Sequence, residues 1–293
     1  MESLVGQGRM AIDLIIDPGT FKENIIGSFK IEDETFGPGA VIGTAVISGE
    51  EVTLIANDAQ VFNEKFPVVF AGVIGMEEGY KMAMAVYHTM KEDADKAPEK
   101  KRPIILIVDT PGNGPGKVEE IFGMNKATGA YQLALAEARK KGHPIVAMVV
   151  GRAISGAFLC HGLQADHILS LTKDFEVMIH VMPLTSIARI TKQNIEKLEE
   201  LSTSNPVFAA GADFFYRLGG LEELVDNTEK MKEKISSHIK EIRELKSQDK
   251  SPELGPWGRG SLGASRNGRI VRLEVIKKMQ QEFDAVADKL ISA

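Results

Sequence analysis

The sequence predicts an α/β protein in which a mainly parallel sheet is covered by helices on both faces. Between residues 103 and 171, strand-like and helix-like segments alternate in the order β-α-β-α-β, as a parallel sheet with crossover helices requires. The strand-like segments are apolar at nearly every position, and strands of this kind are buried on both sides. With 293 residues, 43% of them apolar and 26% charged, the chain can bury one large core.

The N-terminal elements are predicted from turn signals and β-branched runs. Residues 1–39 carry the turn signals DPG and GPG, so we expect an irregular lead-in there. From Ala40 the chain reads AVIGTAVISGEEVTLIAND, two β-branched runs separated by a turn, which predicts a hairpin. Segment 75–92 has apolar residues at helical spacing and acidic residues in its first turn, which predicts a helix.

The alternating region follows this helix and supplies the rest of the sheet. It is predicted to contain strand 103–109, a glycine loop, a helical pattern over 118–141, strand 145–150, a second glycine corner with a helix through Leu163, and strand 166–171.

The C-terminal third changes to a mainly helical pattern. Amphipathic segments are predicted at 185–202, 206–217 and 221–246, followed by a glycine-rich, basic break at SPELGPWGRGSLGASRNGR and a last helix over 269–291. The chain accordingly divides into an irregular lead-in (1–39), a main α/β domain (40–246), and a Gly/Arg-rich linker with a C-terminal helix (247–293).

Bulk properties exclude several classes of function. The 35 basic and 41 acidic residues give a net charge of −6, which argues against partners that are nucleic acids or membranes. Cys160 is the single cysteine, so no internal disulfide forms, and no cysteine and histidine spacing typical of a zinc site occurs. We expect no metal ligands. No export signal and no apolar run of 18 residues is found, so the expected location is the cytoplasm.

Two glycine-rich corners are the candidate functional features. The first is VDTPGNGPG at 108–116 and the second is VVGRAISGAF at 149–158. A glycine after a strand lets the backbone turn sharply, and the N–H groups at the start of the next helix have no partner within it. Such a corner can bind an oxyanion, although glycines at these places can equally serve tight packing alone.

Two other readings of the corners are not supported by the motifs. Nucleotide binding is discounted because the first loop lacks GxxxxGK[ST] and the second lacks the third glycine of a dinucleotide fingerprint. A serine hydrolase is discounted because RAISGAF lacks the G-x-S-x-G elbow around Ser155. We therefore interpret Ser155 as a helix cap.

The same residues resemble a known family. VDTPGNGPG, a helix and HPIVAMVVGRAISGAFLCHGLQADHIL resemble the carboxyltransferase branch of the ClpP/crotonase superfamily, and the IAND run near residue 55 resembles a signature of that group. More narrowly, the second corner together with VMIHVMPLTSIARITKQNIEKLEEL resembles the gamma subunit of biotin-independent malonate decarboxylase. The likeness runs from about residue 40 to 220.

This resemblance implies a fold and an activity. The implied fold is a ClpP/crotonase-like spiral of ββα units with additional C-terminal helices, paired with a related beta subunit. The implied reaction is decarboxylation of malonyl-S-acyl-carrier protein to the acetyl form and CO₂, a carbon–carbon lyase reaction that needs the beta subunit. The acyl-carrier protein would supply a CoA-type prosthetic arm, and no cofactor would bind this chain directly. The alternatives are the biotin-handling half of a biotin-dependent acyl-CoA carboxylase or decarboxylase, and a non-catalytic scaffold.

The resemblance also places site residues. The backbone N–H groups of the second corner would bind the departing carboxylate or shape the pocket, with the first loop as a second source of donors. The implied catalytic residues are Gly156, Ala157, Gly112 and Asn113. The implied substrate-binding residues are Ser155, His180 and Arg189.

Three further features have a structural reading, a functional reading or both. His161 follows Ala157 by one helical turn but is more typical of a core histidine, and Cys160 is expected to be a small buried hydrophobe. A basic cluster near the C-terminus could contact an acidic carrier protein or form a solvated face. That cluster comprises Arg259, Arg266, Arg269 and Arg272.

Overall fold

The computed structural model describes residues 2–182, 184–204, 211–268 and 270–291. Its strands are β1 Lys22–Glu23, β2 Ile25–Ile26, β3 Phe29–Lys30, β4 Ala40–Ile47, β5 Glu50–Asn57, β6 Ile104–Thr110, β7 Ile145–Ile154, β8 His167–Leu171, β9 Met178–His180 and β10 Glu223–Val225. Its α-helices are α1 Gly8–Ile15, α2 Met76–Glu92, α3 Lys117–Phe122, α4 Met124–Lys140, α5 Ser155–Cys160, α6 Leu184–Thr191, α7 Ile195–Ser204, α8 Ala212–Arg217, α9 Met231–Ser247, α10 Gly255–Ser265, α11 Val271–Asp284 and α12 Ala287–Ile291.

One sheet organises the core. Its strand order is β1-β4-β5-β6-β7-β8-β10, and β9 pairs with the end of β7. Pairing is antiparallel from β1 to β5 and parallel from β5 to β10. Helices α1 and α9 contact each other and the parallel strands, whereas α2 and α4 pack together and α2 lies against β4 and β5. All seven residues of β6 are buried, so the prediction of a buried, mainly parallel sheet is confirmed.

The predicted hairpin is confirmed and its turn explains its register. Ser48 and Gly49, which join β4 to β5, both have positive φ, at 50° and 81°. Two left-handed residues form the turn whose twist matches that of the flanking strands. The turn therefore sets Ile47 opposite Glu50 and every pair beyond it.

The long helical pattern over 118–141 is two helices. Gly123 has φ 96°, ends α3 and immediately precedes α4. This left-handed position excludes the regular helical dihedrals that a continuous helix would need. The helical spacing of the side chains continues across Gly123, so the sequence pattern does not reveal the break between α3 and α4.

Substitution of two glycines in this region should have opposite effects. Gly129 lies inside α4 and has nothing within 4 Å of an added Cβ, so Gly129→Ala should raise the free energy of unfolding by about 0.5–1 kcal/mol. Gly123→Ala should lower it, because its φ of 96° is strained for alanine. Urea unfolding of the two variants measures the difference. Equal shifts in one direction would contradict the assignment of the break to Gly123.

The lead-in is more regular than the sequence predicts. Helix α1 buries Ala11, Ile12 and Ile15, and β1 pairs with β4. At Gly8, the first residue of this helix, an added Cβ would lie 2.0 Å from the carbonyl oxygen of Asn57. The glycine is therefore present because the helix approaches another backbone closely.

The C-terminal third departs furthest from expectation. Segment 185–202 is α6 and α7, the segment predicted as helix 221–246 begins with β10, and segment 269–291 is α11 and α12. Segment 206–217 is α8 from 212 onward, and residues 205–210 lie outside the described residues. The glycine-rich break is mostly helix α10, because Gly258 and Gly263 give room for backbone at Glu253 and Leu218. No helix of the described residues is long and apolar enough to cross a membrane.

Candidate active site

The two glycine corners meet in the folded chain. Strands β6 and β7 are parallel neighbours, so the loops that follow them leave the same edge of the sheet. A Cβ added to Gly156 would lie 2.3 Å from Oδ1 of Asn113, and such a distance is a clash for any side chain. Gly156 and Asn113, both predicted from the sequence to be site residues, therefore lie in contact.

The first loop is fixed by backbone pairing with Ile74. The N–H of Ile74 donates to the carbonyl of Gly112 at 3.0 Å, and the N–H of Gly114 donates to the carbonyl of Ile74 at 3.0 Å. Gly112 has φ 145° and open space where a Cβ would be. Its N–H lies 3.4 Å from Oγ1 of Thr110. Because the N–H of Gly112 already contacts this hydroxyl, it is less available to a substrate oxygen than an unpaired N–H would be.

Asn113 brings a buried and under-satisfied donor to the junction. Its Nδ2 is shielded from solvent and has no partner at full hydrogen-bond geometry among the described residues, although the amide lies against the thiol of Cys160. Buried amide groups are almost always paired, so this donor is under-satisfied. The atom of Asn113 that faces Gly156 is Oδ1, an acceptor, so Asn113 donates to an oxygen bound there only after its amide turns over.

The second corner is a sharp turn at Ser155. Strand β7 ends at Ile154, and Ser155 begins α5 with φ 57°. A non-glycine residue in this left-handed region stores local strain, which occurs most often at functional sites. The residue before the helix is Ile154, and no side-chain hydrogen bond caps the helix. The interpretation of Ser155 as a helix cap is therefore wrong, because Ser155 is the first residue of α5 and its side chain is exposed.

The corner leaves backbone donors free. Among the described residues, no backbone or side-chain acceptor pairs with the N–H of Gly156 or of Ala157, as expected for the first turn of a helix. Ala157 is fully buried, whereas Gly156 is partly accessible. An incoming oxygen therefore reaches the N–H of Gly156 before that of Ala157.

His180 lies beside this corner. Strand β9 pairs with the end of β7 so that His180 is opposite Ile154. Its Nδ1 is buried and has no hydrogen-bond partner in the described part of the chain. The pKa of His180 is lowered because burial disfavours the charged form. A neutral imidazole at the corner can donate or accept one proton but does not supply a fixed positive charge.

Arg189 lies on a different helix from the two corners. It lies on α6, a helix without buried residues, and its side chain is exposed. No contact of the described residues joins it to Gly156 or Asn113. The proposed role of Arg189 in binding substrate therefore depends on what packs against α6.

His161 is a core residue, as its more typical reading predicts. Its Nδ1 lies 2.9 Å from the hydroxyl of Tyr131, and its Nε2 lies 2.9 Å from the carbonyl of Ile107. Burial lowers the pKa of His161 to about 4, so it is neutral at pH 7. Both ring nitrogens are occupied inside the core, which leaves none for substrate.

Cys160 is confirmed as a buried residue, and its reactivity should reflect that. Burial raises the pKa of its thiol to about 12, and the thiolate is the form that reacts. We expect native protein at pH 8 to resist labelling by an aromatic disulfide reagent and urea-unfolded protein to take up one label. Rapid labelling of the native chain would contradict the burial of Cys160.

Asp109, which was not predicted to be a site residue, joins the two corners through its carboxylate. Oδ1 of Asp109 accepts from the backbone N and from Nε of Arg152, both at 2.8 Å, and its Oδ2 accepts from Nη2 of Arg152 at 2.9 Å. Oδ2 also accepts from the N–H of Gly6 at 2.7 Å. The register of β6 shifts at this residue, and bulges of this kind re-aim a side chain.

Gly151 has a structural role in the same arrangement. A Cβ there would lie 2.5 Å from Oδ1 of Asp109. Only glycine leaves room for the carboxylate that pairs with Arg152. The sequence shows an acid and a base near the ends of two neighbouring strands, but it does not show that Asp109 and Arg152 face each other.

Two arginines of the basic C-terminal cluster, Arg259 and Arg266, are hydrogen-bonded within the chain and do not form a solvated face. Arg259 is buried and donates to the carbonyls of Leu163 and Ala165. Arg266 donates to the carbonyls of Tyr216, Leu221 and Glu222 and lies 3.7 Å from the ring centroid of Tyr216. Arg272 lies against Gly260, and Arg269 lies outside the described residues. The guanidinium groups of Arg259 and Arg266 therefore stabilise the chain's own loops by hydrogen bonding to backbone carbonyls, which leaves them less available to an acidic partner.

Comparison with known proteins places this geometry in a family. The family described as the malonate decarboxylase gamma subunit matches residues 71–282. The malonyl-S-ACP:biotin-protein carboxyltransferase of Malonomonas rubra is 65% identical over 289 residues, which cover 99% of this chain and 99% of that protein. A chain of the Pseudomonas malonate decarboxylase hetero-tetramer in complex with coenzyme A is 26% identical with a TM-score of 0.72, covering 93% of this chain and 99% of that chain.

A more distant likeness concerns the fold alone. The transcarboxylase 12S structure is 21% identical with a TM-score of 0.62, and the match covers 82% of this chain and 42% of that one. Together with the Pseudomonas structure, it confirms the predicted crotonase-like carboxyltransferase fold. The gamma-subunit match spans most of the chain, including both corners and the helices behind them. This chain therefore belongs to the malonate decarboxylase gamma subunit family.

Proposed function

We propose that this chain acts with a beta subunit to remove the carboxyl group of malonyl-S-acyl-carrier protein, which leaves the acetyl form and CO₂. One observation carries the proposal within this family. The N–H groups of Gly156 and Ala157 open helix α5 beside the side chain of Asn113, and neither N–H has an acceptor among the described residues. An oxygen of the substrate supplies the missing acceptor.

The chemistry requires stabilised negative charge. The bond between the α-carbon and the carboxylate breaks, its electron pair forms the thioester enolate, CO₂ departs, and a proton then adds to the α-carbon. A fixed N–H donor aimed at developing charge contributes about 2.7–4 kcal/mol in mutational tests of oxyanion holes. In our proposal the Gly156 corner holds the carboxylate that leaves, and the beta subunit holds the thioester oxygen.

The remaining site residues have supporting roles in this proposal. Ser155 and His180 border the corner and contact the substrate, and the N–H groups of Ala157 and Gly112 are secondary donors. Arg189 binds the CoA-type arm of the acyl-carrier protein, which carries the malonyl group. No cofactor is held by this chain itself.

The surface around the corners fits a protein partner. Exposed apolar side chains follow each loop, and exposed apolar groups in such numbers mark interaction surfaces more often than chance. Those after the first loop are Val118, Ile121 and Phe122, and those near the second are Leu159 and Val181. The relative from Pseudomonas is a hetero-tetramer. We assign this surface to the beta subunit, so that the active site is complete only in the assembled enzyme.

A second candidate function rests on one observation. The relative from Malonomonas rubra, at 65% identity, is a malonyl-S-ACP:biotin-protein carboxyltransferase. In this alternative the same carboxyl group passes to the ureido nitrogen of a biotin protein, and the Gly156 corner holds the ureido oxygen. An acyl-CoA carboxylase is not favoured, because the transcarboxylase match at 21% identity concerns the fold alone.

Reconstitution separates these functions. This chain, co-purified with its beta subunit, is given malonyl-S-acyl-carrier protein with and without a biotin protein, and acetyl-S-acyl-carrier protein and CO₂ are measured. Product without the biotin protein, unaffected by avidin, supports the decarboxylase. Product that requires the biotin protein and is blocked by avidin supports the carboxyltransferase. No product in either arm would exclude both.

A further inference from the structure

Three potential metal ligands converge far from the glycine corners. His167 begins β8, and His238 and Glu241 lie one turn apart on α9. The two Nδ1 atoms are 2.8 Å apart. Oε2 of Glu241 lies 3.5 Å from Nδ1 of His238 and 4.0 Å from Nδ1 of His167. Imidazole nitrogens with a carboxylate oxygen are a typical ligand set for zinc and related divalent ions.

The three atoms have the spacing that such an ion needs. The circle through the corners of a triangle with sides 2.8, 3.5 and 4.0 Å has a radius of about 2.0 Å, so one central point is that far from all three atoms. Zinc lies about 2.0–2.1 Å from histidine nitrogen and about 2.0–2.2 Å from carboxylate oxygen. Ligand atoms of a tetrahedral ion at these bond lengths lie about 3.3 Å apart, so each of the three distances changes by less than about 1 Å when an ion binds.

A second carboxylate prepares His238 for this role. Oε2 of Glu223 lies 3.0 Å from Nε2 of His238 and accepts the proton there, which leaves the lone pair on Nδ1 facing His167. Glu223 is itself held by Lys234, whose Nζ lies 2.6 Å from its other oxygen. Metal-binding histidines characteristically donate their other N–H to a carboxylate in this way.

The cluster is accessible and acidic. It borders a cavity of about 740 Å³ that is also lined by Glu222, Glu253 and Ser261. The side chain of Glu241 is 55% exposed, so an ion can enter and retain water ligands. The nearby cations Arg259 and Lys246 are engaged by the carbonyl of Ala165 and by the carboxylate of Asp166.

We infer that His167, His238 and Glu241 form a binding site for a divalent transition-metal ion such as Zn²⁺. Val146, near the start of β7, pairs with His167, whereas the Gly156 corner follows the other end of that strand. The ion would fasten β8 to α9 and take no part in the reaction. The two histidines are 71 residues apart, so their spacing in the sequence does not show the site.

Zinc binding by the full chain tests this inference. Protein without an affinity tag is freed of metal with a chelator, dialysed and titrated with Zn²⁺ by calorimetry. We expect one equivalent to bind, and His238→Gln and Glu241→Gln to abolish stoichiometric binding. Glu223→Gln should weaken binding about 10- to 100-fold, as loss of an orienting carboxylate does. Glu244→Gln, an exposed change on the same helix, should bind as the unmodified chain does.

The competing possibility is a metal-free histidine pair. The 2.8 Å contact can be a single hydrogen bond from Nδ1 of His167 to Nδ1 of His238. In that case the unmodified chain takes up no stoichiometric Zn²⁺, or Glu241→Gln binds it unchanged, and either result overturns the proposal. Zn²⁺ should raise the melting temperature of the unmodified chain and of Glu244→Gln but not of Glu241→Gln. Because Glu241 is exposed, its variant decides the matter even if His238→Gln fails to fold.

Discussion

Replacing Asp109 with alanine is expected to lower the free energy of unfolding by about 3–5 kcal/mol, the range measured when one partner of a buried ion pair is removed. The Asp109 carboxylate is buried and accepts four hydrogen bonds, three of them from Arg152. The side chain of Arg152 is only 15% exposed. Without Asp109, its guanidinium remains desolvated and has lost its counter-charge.

Urea unfolding of Asp109→Ala measures this loss, and two variants control it. Glu32→Gln removes one partner of an exposed pair with Lys30 and should change stability by less than about 1 kcal/mol. Asp109→Asn keeps the shape of the side chain and should cost less than Asp109→Ala. If Asp109→Ala were as mild as Glu32→Gln, the Asp109–Arg152 pair would not be what holds the corners together.

The sheet could be predicted from the sequence because its signals are local. The run from Ala40 to Asn57 carries its own turn, and Ser48 with Gly49 adopts the two left-handed conformations that a tight hairpin needs. Strand β6 is buried at every residue, which its continuous apolar run indicates. In both cases the pattern that identifies the element lies within the element.

Elements fixed by distant contacts could not be predicted in this way. Strand β10 is three residues long, and Leu224 pairs with Ser170, far away in the chain. Helix α10 contains glycines that read as a loop, although an added Cβ at Gly263 would lie 2.2 Å from the carbonyl oxygen of Leu218. A glycine needed for close packing and a glycine needed for a turn look the same in a single sequence.

The candidate site shows the same division. The corners at Gly112 and Gly156 follow from strand-to-glycine patterns, and their contact follows from the parallel pairing of β6 and β7. The pairing of Asp109 with Arg152 depends on a register shift in β6, and no sequence pattern predicts that shift. The burial of Arg259 likewise depends on carbonyl groups about ninety residues away.

Removing the N–H of Gly156, which in our proposal binds the carboxylate that leaves, is expected to reduce kcat/KM of the assembled enzyme roughly 10- to 150-fold, because a hydrogen bond to a charged group contributes about 1.5–3 kcal/mol. Gly156→Pro deletes this donor, and it also disfavours the left-handed conformation of the preceding Ser155. Comparing Gly156→Pro with the unmodified chain alone would not isolate the loss of the N–H, because any Cβ at this position meets Oδ1 of Asn113 at 2.3 Å.

The steric effect is removed by making both changes in an Asn113→Ala chain. Gly156→Ala and Gly156→Pro then both carry a Cβ in cleared space, and proline alone lacks the N–H. The ratio of their kcat/KM values with malonyl-S-acyl-carrier protein reports the donor, provided that both co-purify with the beta subunit in equal yield and unfold at the same temperature. Equal kcat/KM values would show that the Gly156 N–H does not contact the carboxylate that leaves. A loss confined to assembly would instead make the corner a scaffold for the partner's active site.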